Sequence, residues 1–491
     1  MLKDHSVADA ICAHNGKRLF ASRSGLAKKE RAFEPEKSVV QVAYGEPVRE
    51  GNGTSFLECE IGMSILAGSV SDVHLNDRVV VTGIGAVSPN GIGREAFWEA
   101  TKAGRSGVGR ITRFDPAGFA AQVAGEVIGL EESSYVMPKD RPHVSRAVPL
   151  AVAAVDEAVR DASLDAKCMS REELREISVL VGSGGASQEF TEQQYRFYYE
   201  GKQKQCSVYV IPTSTPGTLA SEVSMRFGFR GFSHLISTGC TSSTDALGYA
   251  LRMIRYGHAS RVIAGGVDAP IAPLIVRGFQ LMRIMSTRWN HEPERASRPF
   301  SRDRDGFVIA EGAWFFVLET ARSAVERGAR IYGEICGYGS TCDAYHRVRL
   351  EECGEEPARA IQLALKEAGV QAEQVDYVNY HGTSTELNDR IETRAVKLAF
   401  GKHAAKLPGS SLKSLIGHPQ GACGAAGVAA TLLAMRDGVA PPTINVECPD
   451  PECDLDYIAE GARPLAVDYA VANCIAFGSK NSALLLRRWT G

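Results

Sequence analysis

In the run HLISTGCTSSTDALGYALRMIRYG the chain switches from a strand pattern to a helical one within a few residues. The apolar lead-in ends at Ser237. From Thr241 onward Ala246, Leu247, Ala250, Leu251 and Ile254 recur at helical spacing, and Gly257 closes the helix. A strand feeding directly into a helix is the unit of α/β folds, and the alternation continues from Arg78 to the end. Strand-like runs are expected at 79–82, 177–182, 234–238, 261–265, 314–319, 331–339, 377–380, 410–413, 469–476 and 482–487, with helices such as 148–162 and 356–368 between them. This predicts an α/β fold of roughly two domain lengths. Gly184 and Gly185, and Gly265 and Gly266, fall where the chain leaves a strand. The early GIGAVSPNG offers only two of the three glycines of a dinucleotide fingerprint, with no acidic residue near Val127 and Ile128, and reads instead as a tight strand-to-helix turn.

Composition narrows the function classes. With 55 basic and 58 acidic residues among 491, no global field favours nucleic acid or an anionic membrane. No apolar run reaches the ~18 residues of a membrane span, and the small-residue stretch 421–435 reads as a buried helix. The 12 cysteines form no CxxC pair; Cys448 and Cys453 are the closest spaced and have no histidine pair beside them, so no zinc motif is present. The remaining cysteines read as reduced, in a cytoplasmic compartment. Residues 1–75 lack clear periodicity and read as a disordered or mis-called extension; Met63 is a candidate start, and a transit-peptide reading of 10–33 is disfavoured by Asp4 and Asp9.

Cys240 sits at the strand-to-helix joint, where unpaired N–H groups and the helix dipole favour a thiolate. Two histidines follow in polar, glycine-flanked runs, His381 in YHGTSTELND and His418 in SSLKSLIGHPQGACGAAG. One histidine suffices for a hydrolase; two suggest that a second anionic event is stabilised. The loop NCIAFGSKN can bring a backbone N–H to meet that of Cys240 as an oxyanion hole. Lys413, expected on a strand and buried, needs an acidic partner, and Glu311 in DGFVIAEGAW is the candidate.

Taken together, VVVTGIGAVSPNG, STGCTSSTDALGYA, ERASRPFSRDRDGFVIAEGA, CDAYH, NYHGTSTELNDRIET, SSLKSLIGHPQGACGAAG and DPECDLDYI resemble the β-ketoacyl-acyl carrier protein synthases of the KAS II type. The likeness is closer still to the catalytic ketosynthase (KSα) subunits of type II polyketide synthases, and it covers the chain from about residue 78. It implies a thiolase-like fold: two similar βαβαβ halves, here 76–327 and 328–491, in five α-β-α-β-α layers, paired as a homodimer or as a heterodimer with a chain-length-factor-like subunit. By motif match Cys240 is the acyl-accepting nucleophile. His381 and His418 assist decarboxylation of a malonyl group on acyl carrier protein, and Lys413 organises the site through Glu311. Thr383 and Thr385 hold the phosphopantetheine arm. Phe477 gates the acyl pocket and contributes its N–H to the oxyanion hole. No cofactor or metal of the enzyme's own is implied, the substrates being carried on the phosphopantetheine of acyl carrier protein.

Two departures matter. The family's Gly-Phe-Gly-Gly gate reads Ala476-Phe477-Gly478-Ser479 here, which predicts a stiffer or narrower gate. At Gly185 the long-chain fatty-acid enzymes often carry a branched side chain; glycine there, followed by the polar and aromatic SQEFTEQQYRFYYEG, suits polyketide intermediates. Arg283, in LMRIMSTRWN, falls where the family contacts its carrier, and Lys202 and Lys204 form a second basic candidate. A KAS II-type fatty-acid elongation enzyme is the alternative. A non-catalytic chain-length-factor-like subunit would lack Cys240, and KAS III-type enzymes pair one His with an Asn. His346 reads as structural, and His74, His143 and His403 as surface or loop residues.

Overall fold

The computed structural model describes residues 78–491, so the expectations for the extension and for His74 lie outside the described residues. An 11-stranded sheet runs through them. Its principal strands are β1 (Val79–Ser88), β2 (Ile177–Gly182), β3 (Ser233–Ile236), β4 (Arg261–Asp268), β5 (Gly312–Thr320), β6 (Gly333–Cys342), β7 (Tyr377–Asn379), β8 (Gly409–Ser410), β9 (Tyr469–Ala476) and β10 (Lys480–Arg487). The order across the sheet is β8-β7-β9-β10-β6-β1-β5-β4-β2-β3. Adding five to each number of β3-β2-β4-β5-β1 gives β8-β7-β9-β10-β6. Each half is therefore the same motif, parallel but for one antiparallel strand, β5 in the first half and β10 in the second, and the halves join through the antiparallel pair β1 and β6.

The helices that matter are α1 (Ala147–Asp161), α2 (Gln188–Tyr199), α3 (Ser242–Arg255), α4 (Pro273–Leu281), α5 (Glu355–Ala368), α6 (Glu386–Phe400) and α7 (Cys423–Asp437). α1 covers β1 and β5 on one outer face, and α5 covers β6 and β10 on the other. Between the half-sheets lie α3 and α7, each touching strands of both halves, which gives the five layers. α7 is buried from Cys423 to Met435, as its run of small apolar residues requires.

The run around Gly83 and Gly85 is not a turn: β1 continues through it to Ser88. The glycines serve a close approach instead. A Cβ on Gly83 would lie 2.1 Å from the Ala158 carbonyl of α1, and one on Gly85 1.8 Å from that of Ala154. The second half repeats the device, Gly337 and Gly339 facing the Ala364 and Ala360 carbonyls of α5 at 2.0 Å each. Strand 410–413 is also corrected. Only Gly409 and Ser410 pair with the short β7, after which the chain turns helical over Lys413–Ile416. Lys413 thus begins a helical turn.

Candidate active site

The sheet and the two central helices bring four loops to one point. Gly239, at φ +71°, lets the chain bend sharply after β3, and Cys240 follows it immediately before α3. Cys240 is buried on the floor of a cavity of about 310 Å³ that His381, His418, Thr383, Thr385, Phe477 and Arg283 also line. His418 Nε2 lies 3.1 Å from Cys240 Sγ. The two imidazole rings meet edge to face with centroids 5.3 Å apart, and Phe307 packs against His418 in the same manner.

Each histidine is fixed through its backbone. The His418 N–H donates to the Val308 carbonyl, and its own carbonyl accepts from the Ala310 N–H. The N–H groups of His381 and Gly382 donate to the two carboxylate oxygens of Glu392 at 2.6 and 2.7 Å. Lys413 Nζ donates to the His381 carbonyl at 2.6 Å, and Asn473 donates to Glu392 at 2.7 Å. The acidic group facing Lys413 is therefore Glu392 and not Glu311. Glu311 is committed elsewhere, to the Arg146 guanidinium at 3.0 Å and the Val127 N–H at 3.0 Å. Glu392 sits on α6, eleven residues after His381 in the same motif, and nothing local in the sequence marks it as the partner of a lysine beyond the next strand.

Electrostatics corrects a second expectation. The Cys240 thiol is pushed well up by burial, which outweighs the Phe477 N–H directed at its sulfur. Burial, with Lys413, lowers His381 to about 3, and burial lowers His418 too. At neutral pH the site thus holds a thiol beside a neutral imidazole.

The matches to known proteins agree with this geometry. Residues 76–324 match the model of the beta-ketoacyl synthase N-terminal domain and residues 332–447 that of the C-terminal domain. The chain belongs to the β-ketoacyl synthase family. It is 40% identical over 412 residues to the 3-oxoacyl-[acyl-carrier-protein] synthase 2 of Synechocystis sp., covering 84% of this chain and 98% of that one. It is 42% identical over 415 residues to a putative polyketide beta-ketoacyl synthase 1 of Streptomyces cyaneus, covering 83% and 97%. Among solved structures it resembles a type II PKS acyl-carrier protein in complex with its ketosynthase bound to the hexaketide, at a TM-score of 0.76 and 32% identity over 84% of this chain and 99% of that one.

The remaining residues of this β-ketoacyl synthase singled out in sequence fall into two groups. Thr383 and Thr385 face the cavity with their hydroxyls 2.9 Å apart, and Arg283 stands exposed at its lining with a left-handed φ of +55°. Gly185 does not line this cavity. It lines a second one of about 630 Å³ between α2 and α4, which shares Met282 with the first. A Cβ on Gly185 would come within 3.1 Å of Gln188 Oε1, so the neighbouring side chain already occupies part of the space glycine leaves. Lys202 and Lys204 line neither cavity, and Lys202 pairs with Glu200 at 2.7 Å. His346 is exposed, its Nδ1 accepting from the Val348 and Arg349 N–H groups, a turn-forming role. His143 and His403 are half-buried and bonded to Ser207 and to the Val375 carbonyl.

The segment Ala476-Phe477-Gly478-Ser479 is tethered to the loop around His346. Ser479 is buried at φ +63°, a conformation costing a non-glycine residue roughly 1–2 kcal/mol. Its hydroxyl donates to the His346 carbonyl at 3.0 Å and accepts from the Tyr345 and His346 N–H groups at 3.3 and 3.2 Å. At about 1 kcal/mol each, these bonds offset the strain. The Gly478 N–H adds a bond to the Arg347 carbonyl at 2.9 Å.

Sequence reasoning missed two cysteines. Cys423, opening α7, and Cys474, on β9, lie beside Cys240 with their sulfurs 3.5 Å apart. Two groups of metal-capable donors arise among the described residues, Cys240–His381–His418 and His381–Cys423–Cys474, each with ligand atoms within 4.8 Å of one another. Cys448 and Cys453 belong to neither. Spacing along the chain cannot foresee either group, since each draws on separate loops. Asp268 was also missed. It accepts from the N–H groups of Gly184, Gly185 and Gly421, holding the two halves together at the site.

Proposed function

We propose that this chain catalyses decarboxylative Claisen condensation of a malonyl group on acyl carrier protein with an acyl thioester carried on Cys240. The observation that supports it best is the 3.1 Å contact between a buried thiol and a neutral imidazole, with a second neutral imidazole facing the same cavity. Cys240 attacks the incoming thioester while its proton passes to His418, and the leaving pantetheine thiolate takes a proton in turn. Loss of carbon dioxide from the malonyl group supplies the carbanion, so hydrogen bonds from the histidines to the enolate oxygen suffice and no strong base is needed. The carbanion attacks the acyl group on Cys240, and the N–H groups of Cys240 and Phe477 hold the tetrahedral oxyanion. Its collapse breaks the C–S bond, releasing the β-ketoacyl product and the Cys240 thiolate, which takes up a proton to restore the thiol. Lys413 acts through the His381 carbonyl, opposite Glu392. Thr383 and Thr385 hold the pantetheine arm, which brings the substrates so that the enzyme needs no cofactor of its own.

A polyketide pathway is the preferred setting, with fatty-acid elongation as the second reading; relatives of both kinds match at similar identity. We place the two halves at 76–327 and 328–491, the division falling between the Ala321–Glu326 helix and β6. The working form is a dimer, with a second copy or with a chain-length-factor-like subunit. No helix among the described residues is long and apolar enough to cross a membrane, and the cytoplasm is the proposed location. Incubation with malonyl- and acyl-loaded carrier proteins tests the proposal. A β-ketoacyl-carrier product, with transient acylation of the enzyme, is expected; hydrolysis alone would refute it.

Two predictions concern specificity. Gly185→Ile must displace Gln188 and fill the second cavity, so it should shorten the longest product while sparing the first condensation. An unchanged product-length distribution would show that the limit is set elsewhere. Acyl carrier proteins are acidic, so Arg283→Glu should raise KM for carrier-linked substrates, more so at low salt, and leave turnover of a small pantetheine thioester almost unchanged. Equal losses with both substrates would mean that Arg283 supports the fold.

A further inference from the structure

Behind His381, on the side away from the cavity, two buried thiols meet its second ring nitrogen. Cys474 Sγ lies 3.5 Å from His381 Nδ1 and Cys423 Sγ 4.0 Å. The same two sulfurs lie 3.0 and 3.3 Å from the Cys240 carbonyl oxygen. With both sulfurs protonated the cluster offers two S–H protons to two acceptors. Against burial, the Cys474 contact at 3.5 Å, Lys413 and the two imidazoles pull the Cys423 thiol down, while Cys474 is held protonated. Both acceptors are satisfied only when each thiol serves one. Cys474 is the nearer to both acceptors, but Cys423 at 4.0 Å is too far to serve the ring nitrogen well and at 3.3 Å can serve the carbonyl. The arrangement that satisfies both therefore has Cys474 on Nδ1 and Cys423 on the Cys240 carbonyl.

We propose that Cys474 is a positioning residue that holds His381 in the tautomer with its proton on Nε2, by donating its S–H to Nδ1. In a neutral imidazole the bond made by one nitrogen decides which of the two carries the proton. His381 is neutral across the working range, so its tautomer and not its charge sets what it presents to the substrate. With Nδ1 as acceptor, Nε2–H is a donor toward the cavity, as stabilisation of an enolate requires. His418 differs: its Nδ1 is buried with no hydrogen-bond partner, and its Nε2 faces the Cys240 thiol at 3.1 Å, so Nε2 is the acceptor at rest. That arrangement suits a ring that must accept the Cys240 proton and later donate. The inference rests on the condensing role proposed above for His381.

The test compares wild type, Cys474→Ala, Cys474→Ser and His381→Ala in malonyl decarboxylation, in acyl transfer to Cys240, and in nitrogen NMR of histidine-labelled protein. Cys474→Ala should slow decarboxylation at least about tenfold, the scale at which losing a group that orients a functional histidine is felt. Acyl transfer should hold, and the His381 nitrogen signals should shift toward a tautomer mixture. Serine keeps an O–H donor at the same place, so Cys474→Ser should restore most of the rate and the single tautomer. A merely structural role would predict no such rescue. Unchanged decarboxylation in Cys474→Ala, with His381→Ala inactive, would overturn the inference alone. So would a wild-type spectrum with the proton on Nδ1, the pattern of a Cys423 thiolate accepting from the ring. Normal decarboxylation by His381→Ala would overturn the functional reading itself, and the inference with it.

Discussion

Cys240→Ala is expected to abolish condensation, and no other cysteine should take over. The sulfur is placed by three independent features: the Gly239 bend, the start of α3, and the His418 Nε2 contact at 3.1 Å. Cys423 and Cys474 sit close by but are turned toward the Cys240 carbonyl and His381 Nδ1, and they do not line the cavity. An acyl group arriving through the cavity meets Cys240 alone. Cys240→Gln is the informative companion. Its amide places a carbonyl where the acyl thioester carbonyl would stand, and it leaves both histidines in place, so decarboxylation of malonyl-carrier protein should persist without condensation. Intact-protein mass spectrometry after incubation with an acyl donor checks the assignment: acyl label on the Cys240→Ala variant would sink it.

What could be read from the sequence was local. The switch from strand to helix at Cys240, the helix at 148–162, and the buried small-residue helix near 421–435 all announce themselves within a window of a dozen residues, and each was found within about two residues. The failures were tertiary. Gly83 and Gly85 look like turn glycines because a turn and a helix pressed against a strand both require the absence of a side chain; only the position of Ala154 and Ala158 separates the two. Glu311 reads as the partner of Lys413 because a buried lysine needs a carboxylate and DGFVIAEGAW offers one, yet Arg146 claims that carboxylate from a segment with no chemical signature of its own. The raised Cys240 pKa was hidden for the same reason. A helix N-terminus is visible in sequence, whereas the depth at which it is buried is not, and here depth wins. The repeat of the two halves was equally invisible as sequence, since it is conserved as strand order and glycine placement and not as residue identity.

The two histidines should part company under mutation. His381→Ala is expected to lower malonyl decarboxylation by about 10²–10³, the usual effect of removing one donor to a developing oxyanion. It should leave acyl transfer near wild type, because the partner of the Cys240 sulfur is His418. His418→Ala should damage both steps, since it removes that partner as well as a ring facing the enolate. The asymmetry follows from geometry and sharpens what the shared motif suggests, which is two equivalent helpers. It also bears on pH. With His381 held near 3 by burial and Lys413, that imidazole should not charge as pH falls from 8 toward 6. Decarboxylation by the Cys240→Gln variant, where the Cys240 thiol is gone, should therefore show no inflection from His381 over that range, and an inflection near 6.5 abolished by His381→Ala would show an ordinary, solvated imidazole. Burst measurement of Cys240 acylation beside carbon dioxide release separates the variants. A His381→Ala enzyme that releases carbon dioxide at the wild-type rate, or a His418→Ala enzyme that acylates normally, would reverse the division of labour argued here.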